Sequence, residues 1–236
     1  MLKLYSSDYK NNLCSLEWLH NAYNMFRVAE FYSGIGGWCS ALNLCDANYT
    51  IVGAFDINNI ANETYDANYS SKSSSKSIET FSKKFLKNIA ADKWVMSPPC
   101  QPITRKNETE TRDSNDPRSK SFLKLIQLIQ EMDSPRRYVA PENVVGFENS
   151  YCCEQFIDAL RSLNYSLIQF HLTPTQFGLP NDRPRYYCIA IRRGSFDGYI
   201  DEGNLLFNIP GIMNSSEVLS LDNFLESNFS ESELVS

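Results

Sequence analysis

The chain has 236 residues, a net charge of −6 and 42% hydrophobic side chains, enough for one α/β domain with a sizeable core. No apolar run approaches the about eighteen residues of a membrane span, and residues 1–26 lack the apolar stretch of a secretory signal, so a soluble protein of the cytoplasm, the nucleus or both is expected, with no membrane partner. Seven cysteines without a C-x-x-C pair argue against a disulfide framework and a zinc cluster, and with only two histidines, His20 and His171, a Cys-His or Ser-His hydrolase or a histidine metal site is hard to assemble. No metal is expected, and the chemistry is left to Cys, Glu, Asp and Arg. The acidic total disfavours general affinity for nucleic acid, but distribution can override it: basic residues cluster at Arg136-Arg137, Arg183 to Arg185 and Arg192-Arg193.

In chain order, residues 27–32 read as a strand running into Ser33-Gly34-Ile35-Gly36-Gly37, with a helix over 38–45. A second strand at 51–55 ends at Asp56 and a helix follows over 57–65, so the opening is β-α-β-α and implies a parallel sheet. Ser70 to Ser77 is a loop, followed by a weak strand near Ile78, a helix over 81–89 and an apolar strand that leads into Pro98-Pro99-Cys100-Gln101. Residues 107–118 are polar and without periodicity, which predicts a loop. A helix around 122–129, a strand over 138–140, a helix around 156–163 and closing strands at 165–171 and 186–191 complete the alternation, with a turn-rich stretch at 177–184. Beyond Arg193 the chain turns Gly-, Asn- and Ser-rich, with one amphipathic patch at 218–225.

Four constellations could carry chemistry. Two prolines fix φ and remove two backbone donors, so the strand stops and Cys100 is held out at the sheet edge; an inert core thiol is the alternative. The glycine turn is G-x-G-G rather than G-x-G-x-x-G, which disfavours a dinucleotide. Together with Asp56, placed to accept from ribose hydroxyls, it suggests an adenosyl ligand, although a structural turn and a plain helix cap remain open. Glu142, after the strand at 138–140, reaches the same edge as Cys100 if the strands are parallel neighbours and could act as a general acid, or it could cap the next helix. Arg183 and Arg185, two apart on an extended segment, suit a phosphate or a polar base edge, or a solvated strand end.

In order and context these elements resemble the cytosine-5 methyltransferase family: Phe31-Tyr32-Ser33-Gly34-Ile35-Gly36-Gly37 its cofactor loop, Pro98-Pro99-Cys100-Gln101-Pro102 its nucleophile loop, Glu142-Asn143-Val144 its acid motif and Asn181 to Arg185 its R-x-R motif. Met96 to Pro102 followed by Thr104-Arg105, the Phe-Tyr-Ser start of the glycine loop, and Phe177 to Asn181 before Arg183 are most similar to the tRNA-methylating branch first named as a DNA methyltransferase homologue. The resemblance implies a Rossmann-like, mostly parallel doubly wound sheet and S-adenosyl-L-methionine as cofactor. Phe31 and Gly34 would belong to the cofactor loop, with Ile35, Gly36 and Gly37 at the methionine part. Asp56 would meet the ribose and Ile78 and Glu79 the adenine, with Ser97 alongside. It also implies Cys100 adding to C6 of a cytosine, Glu142 assisting at N3, and Arg183 and Arg185 holding the base and backbone. The target would be C5 of a cytosine in a tRNA anticodon loop.

The family places a target-recognition region and a final motif after the R-x-R strand, and the sequence through residue 236 contains neither. Residues 1–26 therefore read as an N-terminal extension, 27–193 as the catalytic domain and 194–236 as the start of a shortened recognition region. Pro141 before Glu142 and Ile103 after Pro102 depart from the family pattern. The competing readings are a DNA cytosine-5 methyltransferase and a catalytically silent form that binds RNA, cofactor or a partner.

Overall fold

The computed structural model describes residues 25–45, 47–99, 117–132, 136–193, 204–215 and 217–225. Cys100, most of the 107–118 loop and residues 1–24 of the N-terminal extension lie outside the described residues, whereas Phe26, read as the last residue of that extension, opens the first strand. Eight strands form one sheet: β1 (Phe26–Phe31), β2 (Tyr49–Phe55), β3 (Ser73–Ser74), β4 (Lys93–Met96), β5 (Tyr138–Val144), β6 (Tyr165–Leu172), β7 (Arg185–Arg192) and β8 (Leu205–Leu206). Their order is β3-β2-β1-β4-β5-β7-β6-β8. β1 pairs in parallel with β2 and β4, β4 with β5, and β2 with β3, while β7 runs antiparallel to both β5 and β6.

Five helices described between the strands are α1 (Gly37–Leu44), α2 (Asn59–Asn68), α3 (Lys83–Ile89), α4 (Pro117–Gln130) and α5 (Tyr151–Ser162). Side-chain caps set several of their starts. Asn58 Oδ1 accepts from the amides of Ile60 and Ala61 to open α2, Ser82 accepts from Phe85 to open α3, and Ser150 accepts from Cys153 to open α5. Apolar residues at helical spacing on α4, namely Phe122, Leu125, Ile126, Leu128 and Ile129, are all buried. They join α5 over one face of the sheet, where Phe31 packs against Phe55 and Trp94 with ring centroids at 5.7 and 4.9 Å. The other face carries a smaller cluster of Phe26, Val28, Leu42 and Val95. Helices on both faces of a mostly parallel sheet give the doubly wound α/β architecture that the sequence implies.

Two local expectations need correction. Ile78 lies in a 3₁₀ turn over Ile78–Thr80, and the strand in that region is β3, inside the serine-rich stretch that reads as loop. Two ladder positions beside β2 suffice for an edge strand, and serine alternation gives no apolar signal. Glu142 also does not follow its strand but lies within it, since β5 continues to Val144. The ladder with β7 lapses at Ala140 and Pro141 and resumes in the same register at Glu142 opposite Tyr187, so the missing proline amide is accommodated and pairing continues beyond it.

Candidate active site

At the carboxyl edge of the parallel strands, side-chain contacts knit the loops together. The glycine turn leaves β1 through Tyr32, whose φ is 55°, and Gly34 and Gly36, with φ of 51° and 93°. A Cβ on Gly36 would stand 2.2 Å from Tyr69 Cε2, so glycine is needed there for close approach as well as for its backbone. A Cβ added at Gly34 or Gly37 would meet no atom of the other described residues within 4 Å, and Ile35 is exposed, so among the described residues the turn presents open space at the sheet edge. Ser33, 5% exposed, has an Oγ with no hydrogen-bond partner among the described residues.

Asp56 follows β2, and its carboxylate accepts from the Gly34 amide at 2.9 Å and from the Asn58 amide at 2.8 Å. It does not cap α2, because Asn58 does, so the carboxylate braces the glycine turn. The Trp38 indole donates to Ser97 Oγ at 3.1 Å, joining α1 to the end of β4, and the Ser97 amide donates to the Phe31 carbonyl at 3.2 Å. Asn143 Nδ2 donates to the Pro98 carbonyl at 3.1 Å and is itself buried. The acid-bearing strand therefore holds the backbone two residues before Cys100.

Glu142 and Arg185 sit diagonally across β5 and β7, with Arg185 Nε 3.3 Å from Glu142 Oε1. Both are partly exposed, which leaves acceptor and donor capacity for a ligand while screening weakens their mutual attraction. Arg183 is exposed before the strand, and its amide donates to Thr173 Oγ1 at 3.1 Å; the structure brings Arg185 to the acid but not Arg183. Phe31 is fully buried and Ile78 is 4% exposed, both within the core, whereas Glu79 is exposed.

Two polar groups at this edge escaped sequence reasoning. Glu30 on β1 is fully buried, and desolvation pushes its carboxyl up to about 7 despite the opposing Tyr65 hydroxyl and the amides of Trp38 and Cys39. It lies under the start of α1, where partial positive charge favours an anion. An acid inside an apolar strand was the available signal. His171 on β6 stands 3.0 Å from Glu148, whose other oxygen accepts from the Gly146 amide, so it serves as a partner for a local acid beside β5.

A glycine turn and a bracing acid at the first two strand ends, with further polar groups at neighbouring ends, define the α/β class that binds ligands at the carboxyl edge of a doubly wound sheet. Residues 26–216 match the family described as C-5 cytosine-specific DNA methylase. A DNA (cytosine-5)-methyltransferase of Dictyostelium discoideum is 42% identical over 174 residues, covering 72% of this chain and 45% of the relative. A tRNA (cytosine(38)-C(5))-methyltransferase of Schizosaccharomyces pombe is 41% identical over 164 residues, covering 70% and 49%. The crystal structure of S. pombe Dnmt2 methyltransferase aligns with a TM-score of 0.73 at 33% identity, over 89% of this chain and 62% of that one. The chain belongs to the C-5 cytosine methyltransferase family. It spans about half the length of the curated relatives it matches.

Proposed function

We propose that this chain takes part in methyl transfer to C5 of a cytosine in tRNA, with S-adenosyl-L-methionine as the methyl source and residues 27–193 as the catalytic unit. The observation that carries the reading is the pair of contacts from adjacent residues of β5: Asn143 holds the Pro98 carbonyl, and Glu142 meets Arg185. Together they gather the loop that leads to Cys100, an acid and a guanidinium at one edge.

The residues fit the cofactor. Among the described residues, the open space over Gly34 and Gly37 and the buried Ser33 Oγ without a hydrogen-bond partner suit a polar ligand lying on the turn, and the Asp56 oxygens retain lone pairs for ribose hydroxyls. Ile35, Gly36 and Gly37 would flank the methionine part and Ser97 would lie alongside. Phe31, Gly34 and Ile78 would contribute backbone and packing, and Glu79 would stand at the adenine. When bound, the cofactor supplies an electrophilic methyl group.

C5 of cytosine is too poor a nucleophile to accept that group unaided. The Cys100 thiolate would add to C6, opening the C5–C6 double bond, while Glu142 would hydrogen-bond N3 and the exocyclic amine, so C5 would gain enamine character toward the methyl group that the cofactor would supply, the cofactor's sulfur keeping the electron pair of the broken S–CH3 bond. A base then removes the C5 proton and the thiolate leaves as the ring double bond re-forms. Arg185 orients Glu142, and Arg183 meets the adjoining backbone. A single-stranded anticodon loop offers the target base at the lowest unstacking cost.

Incubation with a tRNA carrying 5-fluorocytosine is expected to trap a covalent adduct on the wild-type chain, and Cys100→Ala is expected to lose both adduct and methyl transfer. Unchanged transfer in Cys100→Ala overturns the reading. A DNA substrate is the second reading, favoured by the name of the Dictyostelium relative; side-by-side assays on tRNA and duplex DNA separate the two.

A further inference from the structure

The glycine turn is held from two sides by different elements. From the end of β2, Asp56 accepts the Gly34 amide, and from the end of α2, the Tyr69 hydroxyl donates to the Gly36 carbonyl at 3.0 Å. That carbonyl also accepts the Ser40 amide at 2.9 Å at the start of α1, so Tyr69 uses its second lone pair. The same ring fills the space over Gly36. A Cβ there would meet three of its carbons at 2.2 to 3.0 Å, whereas a Cβ at Gly34 or Gly37 would meet no atom of the other described residues within 4 Å.

Tyr69 stands where α2 stops. Its backbone is extended, with φ −128° and ψ 149°, while its amide still donates to the Tyr65 carbonyl at 3.0 Å. Its half-buried ring lies against that of Tyr65, with centroids 4.9 Å apart. Tyr65 is fully buried, and its hydroxyl stands 3.3 Å from both Glu30 Oε2 on β1 and Ser71 Oγ. Tyr69 thus rests on a neighbour that is fastened at its far end. A phenylalanine would fill the same space and pack on the same ring. The hydroxyl adds a direction: it points the carbonyl of Gly36, a residue at a φ of 93° whose backbone has no side chain to hold it.

We propose that Tyr69 is a positioning residue of the cofactor site: its hydroxyl fixes the Gly36 carbonyl and its ring closes one side of the turn, which leaves S-adenosyl-L-methionine the space over Gly34 and Gly37. The proposal rests on the cofactor reading above and adds to it a residue outside the glycine motif. Held at the Gly34 amide by Asp56 and at the Gly36 carbonyl by Tyr69, the turn has its shape before a ligand arrives. Binding then does not have to order it, and the affinity gained is lost when the hydroxyl is removed.

The test compares the full 236-residue chain with its Tyr69→Phe variant, which keeps the ring and loses the hydroxyl, by amide hydrogen exchange without ligand and by calorimetry with S-adenosyl-L-methionine. Exchange is expected to rise about tenfold at Gly36 and Ser40, whose amides bond to the Ser33 and Gly36 carbonyls, and to stay unchanged over α4 and α5. The cofactor is expected to bind the variant about fivefold more weakly. Equal exchange at Gly36 and Ser40 in the two chains overturns the proposal, and so does a rise shared by α4 and α5, which is a loss of global stability. Cofactor binding that Tyr69→Phe leaves intact overturns the proposal alone. Absence of binding to wild type overturns the cofactor reading and the proposal with it.

Discussion

Glu30 and Lys93 lie on the same face of the sheet, on adjacent strands, and both are buried, yet they solve opposite problems at opposite ends. Glu30 stands near the carboxyl edge under the first amides of α1, and burial raises its carboxyl to about 7. Lys93 opens β4 at the amino edge, and burial lowers its ammonium to about 7, while the rings of Phe26 and Tyr138, 3.3 and 4.4 Å from Nζ, offset part of the cost. The helices explain the polarity. In a β-α-β unit the helix N-termini gather at the carboxyl edge and favour anions, while the C-termini gather at the amino edge and favour cations. One edge therefore has open turns and acceptors, and the other has closed turns and guanidiniums.

The widest separation between the two ends should appear in their pH dependence. Lys93 has a folded pKa below its ordinary 10.5, so the unfolded chain binds a proton that the folded chain lacks between about 7 and 10.5. Its contribution is present above 10.5 and lost as pH falls through about 7, on the order of several kcal/mol before the ring contacts are counted. Lys93→Met should flatten the rise in wild-type stability between pH 7 and 10 in urea unfolding; an unchanged slope would place the ammonium in solvent. For Glu30 the sign reverses. Its folded pKa lies above 4.5, so its contribution is fully present below 4.5 and lost as pH rises through about 7, roughly 3 kcal/mol in all. Glu30→Gln should be more stable than wild type above pH 7 and should lose that slope, read by the same titration.

Smaller effects discriminate the open turn from a merely structural one. Asn143→Ala removes a buried bond to the Pro98 carbonyl and should cost about 1–3 kcal/mol, with methyl transfer falling more than cofactor affinity. Equal falls in transfer and affinity would show that Asn143 does not act through the Cys100 loop. Gly36→Ala forces a side chain into the Tyr69 ring at a φ of 93° and should lower stability by about 1–3 kcal/mol in thermal melts. The added methyl of Gly37→Ala meets no atom of the other described residues within 4 Å and should change stability by less than about 0.5 kcal/mol, yet weaken S-adenosylmethionine binding in calorimetry. Intact cofactor affinity in Gly37→Ala would mean that the ligand does not lie over this turn.

The sheet was legible because its strands carry apolar runs and its helices carry periodic faces. Phe26 to Phe31, Tyr165 to Leu172 and Arg185 to Arg192 were readable within one or two residues of their ends. β3 was not, because an edge strand of two serines owes its existence to β2 rather than to its own side chains. The full length of β5 was hidden by Pro141, a residue that ends most strands and here falls where the ladder with β7 lapses. At the site, Asp56, Glu142 and Arg185 could be placed from strand ends, but their partners could not. That Asp56 braces Gly34, that Arg185 rather than Arg183 meets Glu142, and that Glu30 is buried under α1 all depend on neighbours far apart in the chain.

The strained Tyr32 at the head of the glycine turn has a further consequence. Its hydroxyl donates to Ser121 Oγ at 3.1 Å, and burial holds its phenol well above the usual range. Ser121 lies early in α4, and Ser97, directly after β4, is fastened to Trp38 on the other side of the same turn. The end of β4 and the start of α4 are thus both tied to the glycine turn and its approach. A change in that turn therefore bears on both ties at once, one to β4's end and one to α4.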